Sequence, residues 1–410
     1  MCAFTYFKLF PKNKFNWLYE NVIELPSKRH NYFLLRAALM TENIDSYWYR
    51  EGKAKFQVGK AFYNPQSKLV RDLGILAAIA YKRDLGCLKV LDALGGCGVR
   101  SLRYWLESDA DYLWVNEGNI ELNQLLQTNL APAISLNRCQ ITNLDANRVF
   151  FDCYQRRDYY DLVDVDCFGN AAPYLSTMLW ATKIGGLMYL TCTDGRTLTG
   201  NLPEHSLQAY AAIARSHPAA HEQALRLLIG SVQQQAASKG LGIEPIFSWF
   251  TGTNYRLMLR LRAKPQLSEL NYGFLSYCHN CGNYQAISWR KLANINCNCC
   301  NPNITVSGAM WLGKLHAPQE LIKLMDIARQ LAWQPPQRLL ALMLDELDYP
   351  PYFYTLREIG KRGELNLPKR SHLIEALQAA GYQASVTHIN LQAIKTNADF
   401  HTCMAIARKI

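Results

Sequence analysis

Residues 162–174 read LVDVDCFGNAAPY, an alternating apolar run that stops in Asp166-Cys167-Phe168-Gly169. Such a run reads as a strand whose end delivers a carboxylate and a flat apolar face to one spot. A carboxylate there can accept a proton from an amine, and the ring can take a planar group in stack. Upstream, VLDALGGCGVRSL (residues 90–102) sets Asp92 at the end of a buried strand and Gly95, Gly96 and Gly98 before a helix. Glycines at that junction let the backbone turn tightly and approach a ligand, because no Cβ intervenes. Glu117 ends the next strand, YLWVNE, 25 residues after Asp92, and Asp145 ends NLDA. The first can accept both hydroxyls of a ribose; the second can accept an adenine amino group while the Ala146 amide faces the ring. Three successive strand ends carrying acids at one sheet edge point to a nucleoside site. The competing reading is that each acid caps the helix after it.

Elements that could place these residues alternate along the chain. EGKAKFQVG suggests a hairpin, and FYNPQSKLVRDLGILAAIAYKRD turns helical. LKVLDAL, YLWVNE, NRCQITNLDA, YYDLVDVD and GLMYLTCTD read as strands, with VRSLRYWLES, IELNQLLQTNL and PYLSTMLWATKI as helices among them. Strands spaced by helices predict an α/β fold with a parallel, doubly wound sheet. A long helix, HEQALRLLIGSVQQQAASKG, and two more strands, EPIFSWFTG and YRLMLRLRA, complete a first domain, residues 1–264, with the boundary at Lys264-Pro265. Residues 265–410 form a smaller C-terminal α+β domain. Its helix, basic connection, helix and strand pair are compatible with a winged-helix-like module that grips nucleic acid, or with a small helical packing domain.

The chain has 410 residues, 49% of them hydrophobic, and a formal net charge of +11, which excludes a disordered or fibrous protein and favours a polyanionic partner. The opening MCAFTYFKLFPKNKFNW has no uninterrupted apolar core before a cleavage site, and LGILAAIAY is too short to span a bilayer. A cytoplasmic protein with no membrane partner is expected, with its 13 cysteines reduced. Cys278-x-x-Cys281, 15 residues, then Cys297-x-Cys299-Cys300 suits two knuckles closing on one structural zinc through Cys278, Cys281, Cys297 and Cys300, with Cys299 spare. His279 is read as a surface residue, and the scattered thiols as core or turn residues.

The Asp92 turn lacks the G-x-G-x-x-G of a nicotinamide site and resembles the first motif of S-adenosylmethionine-dependent methyltransferases, whose fold is Rossmann-like. Arg71 and Arg100 are then candidate partners for the methionine carboxylate. Asp166 stands where amine methyltransferases bring a polar group followed by an aromatic to the target nitrogen. A purine amine is a poor nucleophile, so a carboxylate must accept its proton while Phe168 supports the extruded base.

From FYNP (residues 62–65) to its end the chain resembles the tRNA (guanine-26, N2)-dimethyltransferases. The resemblance rests on EGKAKF, FYNP with Arg71-Asp72, DALGGCGVR, VNEGN, NLDAN, DVDCFGNAAPYL, TCTDGRTLTGN, SYCHNCG, MWLGKL and THINLQAIKTNA. It implies a methyl acceptor at guanine 26 of tRNA. It implies methyl-donor contacts at Arg71, Arg100, Glu117, Asp145 and Ala146 and a catalytic acid at Asp166. The chain departs from the pattern at Cys167, where the family has proline, at Glu117, where it has aspartate, and at Asn170, where a small hydroxyl residue is usual. Lys361, Arg362, Lys369, Arg370 and Lys395 are expected to meet tRNA phosphates. No obligatory protein partner is evident. The rival reading is a tRNA-binding protein that keeps the methyltransferase fold without turnover; an adenine amine is the nearest competing substrate.

Overall fold

The strand that ends just before Asp166 lies in the middle of a seven-stranded sheet, in a computed structural model that describes residues 47–297, 300 and 304–410. The leader reading of residues 1–17 and the spare Cys299 fall outside the described residues. A hairpin of β1 (Trp48–Glu51) and β2 (Ala54–Gln57) leads into α1 (Lys68–Leu85). Then come β3 (Lys89–Asp92), α2 (Val99–Glu107), β4 (Tyr112–Asn116), α3 (Asn123–Ser135), β5 (Cys139–Thr142), α4 (Ala146–Arg156) and β6 (Tyr160–Val165). Every residue of β6 is buried, which explains why its sequence stays apolar except for Asp161 and Asp164.

PYLSTMLWATKI does not make one helix: it breaks into α5 (Ala172–Leu175) and α6 (Met178–Ala181), and Thr182 already begins β7 (Thr182–Cys192). Next are α7 (Gly195–Leu198), α8 (Pro203–Tyr210), α9 (Ala220–Ala237), β8 (Gly242–Phe250) and β9 (Tyr255–Arg262). The sheet order is β5-β4-β3-β6-β7-β9-β8. Strands β5, β4, β3, β6 and β7 pair in parallel, as the alternation predicts. Strands β8 and β9 run antiparallel, so the sheet is mixed. The four residues Thr251–Asn254 explain why: so short a loop can close a hairpin but not a parallel crossover.

Strands β10 (Tyr272–Cys278), β11 (Tyr284–Ile287) and β12 (Ile304–Trp311) form a separate antiparallel sheet. Helix α9 is buried around most of its circumference, and a Cβ on its Gly230 would stand 3.1 Å from the Trp311 nitrogen of β12. After α10 (Pro318–Gln330) and α11 (Gln334–Asp345), the chain makes β13 (Tyr354–Thr355), α12 (Leu356–Gly363), α13 (Arg370–Ala379), β14 (Ala384–Val386), β15 (Ala393–Thr396) and α14 (Phe400–Ala407). With β15 central in the order β13-β15-β14, the connectivity from α11 onward is that of a winged helix. Residues Trp48–Ile410 form one compact unit. Among the described residues no helix is long and apolar enough to cross a membrane.

Two of the basic residues expected on tRNA are engaged within the protein, Lys395 buried and Arg362 partly exposed. Lys395 is 2% exposed and donates to Glu222 Oε1 at 2.7 Å, beside Arg226. Arg362 spans Glu358, the carbonyls of His279 and Asn280, and the Tyr277 hydroxyl. Lys395→Ala is therefore expected to lower stability by about 3 kcal/mol in chemical denaturation, the low end for a broken buried pair because Arg226 still faces Glu222.

Candidate active site

Strands β3 and β6 are neighbours, yet the chain leaves β3 toward β4 and β5 and returns through β6 toward β7. This reversal opens a crevice at the carboxyl ends of the strands, where open α/β sheets bind ligands. Asp92 closes β3; Glu117 follows β4, Asp145 lies three residues beyond β5, and Asp166 follows β6. The predicted acids thus share one rim. A buried residue that sequence reading passed over ties it together. Asn116 donates through Nδ2 to the carbonyls of Ala93 and Leu144 and accepts from the Thr142 hydroxyl and the Leu144 amide.

The glycine turn is held as tightly as its sequence suggests. Gly98 adopts φ 77°, and the Gly98 amide donates to the Gly95 carbonyl at 2.8 Å. At Gly95 a Cβ would meet Val115 Cγ1 at 2.7 Å. The Gly96 amide donates to Glu117 Oε2 at 2.8 Å, and Asn119 N–H donates to Oε1 at 2.9 Å, so Glu117 braces the loop. Each carboxylate oxygen keeps a second lone pair. Asp145 is an N-cap: Oδ1 accepts from the amides of Asn147 and Arg148. The capping alternative therefore holds at Asp145, whose neighbour Ala146 is buried as the first residue of α4.

Beside this rim lies a buried charge network. Arg100 Nε donates to Asp166 Oδ2 at 2.9 Å and its Nη1 to Asp164 Oδ2 at 3.1 Å. The Tyr104 hydroxyl donates to the same Asp164 oxygen at 2.8 Å. Arg256 Nη1 donates to Asp166 Oδ1 at 2.6 Å. Asp92 Oδ2 accepts from the Ser101 hydroxyl at 2.6 Å; Asp92 Oδ1 and Asp164 Oδ1 are buried with no partner among the described residues. Burial and then the charge of Asp164, its register partner, push Asp92 up to about 7. Burial also raises Asp164, against the pull of Arg100. For Asp166 burial again pushes upward, but Arg100 and then Arg256 outweigh it and hold the carboxyl well below the usual range. Of the three carboxyls, Asp166 is the one held below its ordinary range.

Arg71 and Arg100 do not present unengaged guanidinium groups. Arg71 binds Glu51 through Nε and Nη2, at 2.7 and 2.6 Å, as Arg100 binds the two aspartates. Phe168, next to Asp166, is 95% exposed. Cys167, which lacks a proline's fixed φ, is tied through its side chain instead: its thiol donates to the Thr191 carbonyl at 2.9 Å. The Gly169 amide donates to the Thr193 hydroxyl at 2.6 Å, and the Thr193 amide donates back to the Gly169 carbonyl.

A buried-to-half-buried cluster of Cys278, Cys281, Cys297 and Cys300 brings all four sulfurs within 4.8 Å of one another. His279 lies between the first two and interacts with the Thr305 hydroxyl. A second group, His316, Glu346 and His388, is equally close-set and fully buried. Its hydrogen bonds argue for protons instead of a metal. Ser248 N–H donates to His316 Nδ1, which puts the ring proton on Nε2, facing Glu346. His388 Nε2 must donate to the Ser248 carbonyl, and its Nδ1 meets Glu346. A metal on His316 Nε2 would demand an imidazolate, since the other nitrogen already accepts.

Comparison with known proteins agrees with this geometry. Residues 48–408 match the family N2,N2-dimethylguanosine tRNA methyltransferase. The chain is 30% identical to the tRNA (guanine(26)-N(2))-dimethyltransferase of Pyrococcus furiosus, across 88% of this chain and 97% of that protein. It is 29% identical to the enzyme of the same name from Pyrococcus abyssi, across 85% and 95%. The structure of Trm1 from Pyrococcus horikoshii in complex with S-adenosyl-L-methionine superposes with a TM-score of 0.75 at 27% identity, across 88% of this chain and 99% of that one. With a matched family spanning nearly all of the described chain, this protein belongs to the N2,N2-dimethylguanosine tRNA methyltransferases.

Proposed function

We propose that the chain transfers methyl groups from S-adenosylmethionine to the exocyclic amine of guanine 26 in tRNA, giving N2,N2-dimethylguanosine. The observation that carries this reading is the single rim on which the glycine turn, three nucleoside-type acids, the anionic Asp166 and the exposed Phe168 meet. When bound, the donor supplies a methyl group on a sulfonium, and methyl transfer leaves a neutral thioether. The residues present fit it: the Gly95–Gly98 turn admits a close approach, and Asp92 Oδ1 is an unmatched acceptor for an ammonium group. Glu117 would take the ribose, and Asp145 with the Ala146 amide the adenine edge. Arg71, with donors already on Glu51 and Asn64, would reach the methionine carboxylate only through what those leave.

Asp166 accepts a hydrogen bond from the guanine amine, drawing its lone pair out of the ring and toward the methyl group. Because Arg100 and Arg256 keep it ionised, it is a weak base. A weak base suffices, since a methylated arylamine cation gives up its proton readily. Phe168 would stack on the extruded base. Phe168→Ala is expected to cut kcat/KM for tRNA about 10- to 100-fold, the worth of one stacked base, with methyl-donor affinity unchanged.

The four cysteines fit one structural zinc, for which a thiolate tetrahedron with Zn–S of about 2.3 Å has sulfur separations of about 3.8 Å. Three of the sulfur pairs here lie at 3.3, 3.4 and 3.5 Å. In residues 265–410 the exposed Lys361 and Lys369, with half-exposed Arg370, are left as the phosphate contacts among the five basic residues first considered.

The rival binding-only reading drew on the missing proline, and the Cys167 hydrogen bond to Thr191, with the Gly169–Thr193 pair, ties this turn by other contacts. Mass spectrometry of nucleosides from a tRNA transcript incubated with the protein and methyl donor decides between them. N2,N2-dimethylguanosine at position 26 is expected; tRNA retention with unmodified guanine would establish the rival.

A further inference from the structure

Arg256 belongs to none of the motifs that pointed to the site, yet it reaches the acid placed at the reacting nitrogen. It lies on β9, paired in register with Thr191 of β7, and two strands from β6 in the sheet. Its side chain is 3% exposed. Nη1 donates to Asp166 Oδ1 at 2.6 Å and also meets the Thr191 hydroxyl, while Nε is buried with no hydrogen-bond partner among the described residues. Burying a guanidinium is costly and an unmet donor adds to the cost, so stability alone is a poor reason for this residue.

Its geometry supplies a better one. Arg100 comes from α2 and takes Asp166 Oδ2; Arg256 comes from the antiparallel flank and takes Oδ1. With one guanidinium on each oxygen the carboxylate is held at both ends, while its side chain stays 29% exposed. We propose that Arg256 is a positioning residue for methyl transfer, fixing Asp166 by Oδ1 and holding it anionic so that its remaining lone pairs meet the guanine amine. This rests on the guanine-amine reading above. As the nitrogen–carbon bond forms, the carbon–sulfur bond breaks and its electron pair returns to sulfur. The nitrogen then releases one proton, through Asp166, to water.

The test uses the full-length enzyme and a tRNA transcript. Arg256→Gln is expected to lower kcat about 100-fold, as misplacement of a reacting group does. Dissociation constants for tRNA and methyl donor should stay within about threefold of wild type. The acid limb of the kcat–pH profile should move to higher pH, because Asp166 has lost a cationic partner. Arg256→Lys should recover part of kcat. Thr191→Val, which unseats the guanidinium but keeps its charge, should give a smaller loss, and it decides the matter if Arg256→Gln fails to fold. Wild-type kcat in the Gln variant, or a lower kcat with an unmoved acid limb, overturns the proposal. A wild-type enzyme that makes no dimethylguanosine overturns the guanine reading instead, so the two failures are separable.

Discussion

Asp166→Asn is expected to lower kcat for methyl transfer by about 1000-fold at saturating tRNA and methyl donor, the range over which a positioned proton acceptor contributes. The asparagine keeps the shape of the side chain but offers one acceptor oxygen and no charge, so it cannot satisfy Arg100 and Arg256 and also receive the amine. Donor affinity should change little, because the glycine turn, Glu117 and Asp145 are held by bonds that do not involve Asp166. Stability should fall as well. Removing one anion leaves two buried guanidiniums short of a partner, a change of about 3–5 kcal/mol.

The sign of the pH effect follows from the same contacts. Asp166 is depressed in the fold, so its contribution to stability is complete above the ordinary carboxylate range and is lost progressively as pH falls from that range to its lower, folded value. An amide at this position does not titrate and has no such dependence. The stability gap between wild type and Asp166→Asn should therefore narrow in acid, and urea titrations from neutral pH downward would show it. A variant with wild-type kcat would remove the chemical role assigned to this acid.

How much of this was visible in the residues depends on whether the relevant partner lies nearby in sequence. The strand ends were legible because a period-two apolar run followed by an acid and a turn is a local pattern, and the glycine turn is local too. The direction of β8 and β9 was encoded in the short TGTN loop, a signal that strand–helix alternation overshadowed. Lys395 reads as exposed in AIKT because a strand ordinarily shows one face to water. It is internal because β15 is the central strand of its sheet and all four of its residues are covered. Arg256 left no local trace, since its partner Asp166 lies 90 residues away. Asn116 was hidden for the same reason: its partners belong to the turns after two other strands. MWLGKL matched the family yet pointed to no chemistry, and THINLQAIKTNA offered only the phosphate contact expected at Lys395. In the fold they bring His316, His388 and Lys395 to the buried contacts with Glu346 and Glu222, which makes them architectural.

Loss of the four-cysteine cluster should have the second large effect, on structure rather than chemistry. None of the described residues between Ser288 and Cys300 is fully buried, so this stretch has no apolar core of its own. What anchors it is the convergence of Cys297 and Cys300 on Cys278 and Cys281 at the end of the β10–β11 hairpin. A zinc ion closing four thiolates can replace such a core, since metal binding is worth about 10–16 kcal/mol in small zinc domains. Elemental analysis of purified protein is expected to find about one zinc per chain, and about none in Cys278→Ser/Cys281→Ser. In that variant proteases should cut between residues 288 and 297, and tRNA affinity should fall about tenfold or more, because Arg362 braces the carbonyls of His279 and Asn280 from the winged-helix side. Methyl-donor affinity should be far less affected, since the rim at β3 to β6 is held by contacts of its own. A chain that carries no metal and resists proteolysis in this stretch would show that thiol packing alone holds it.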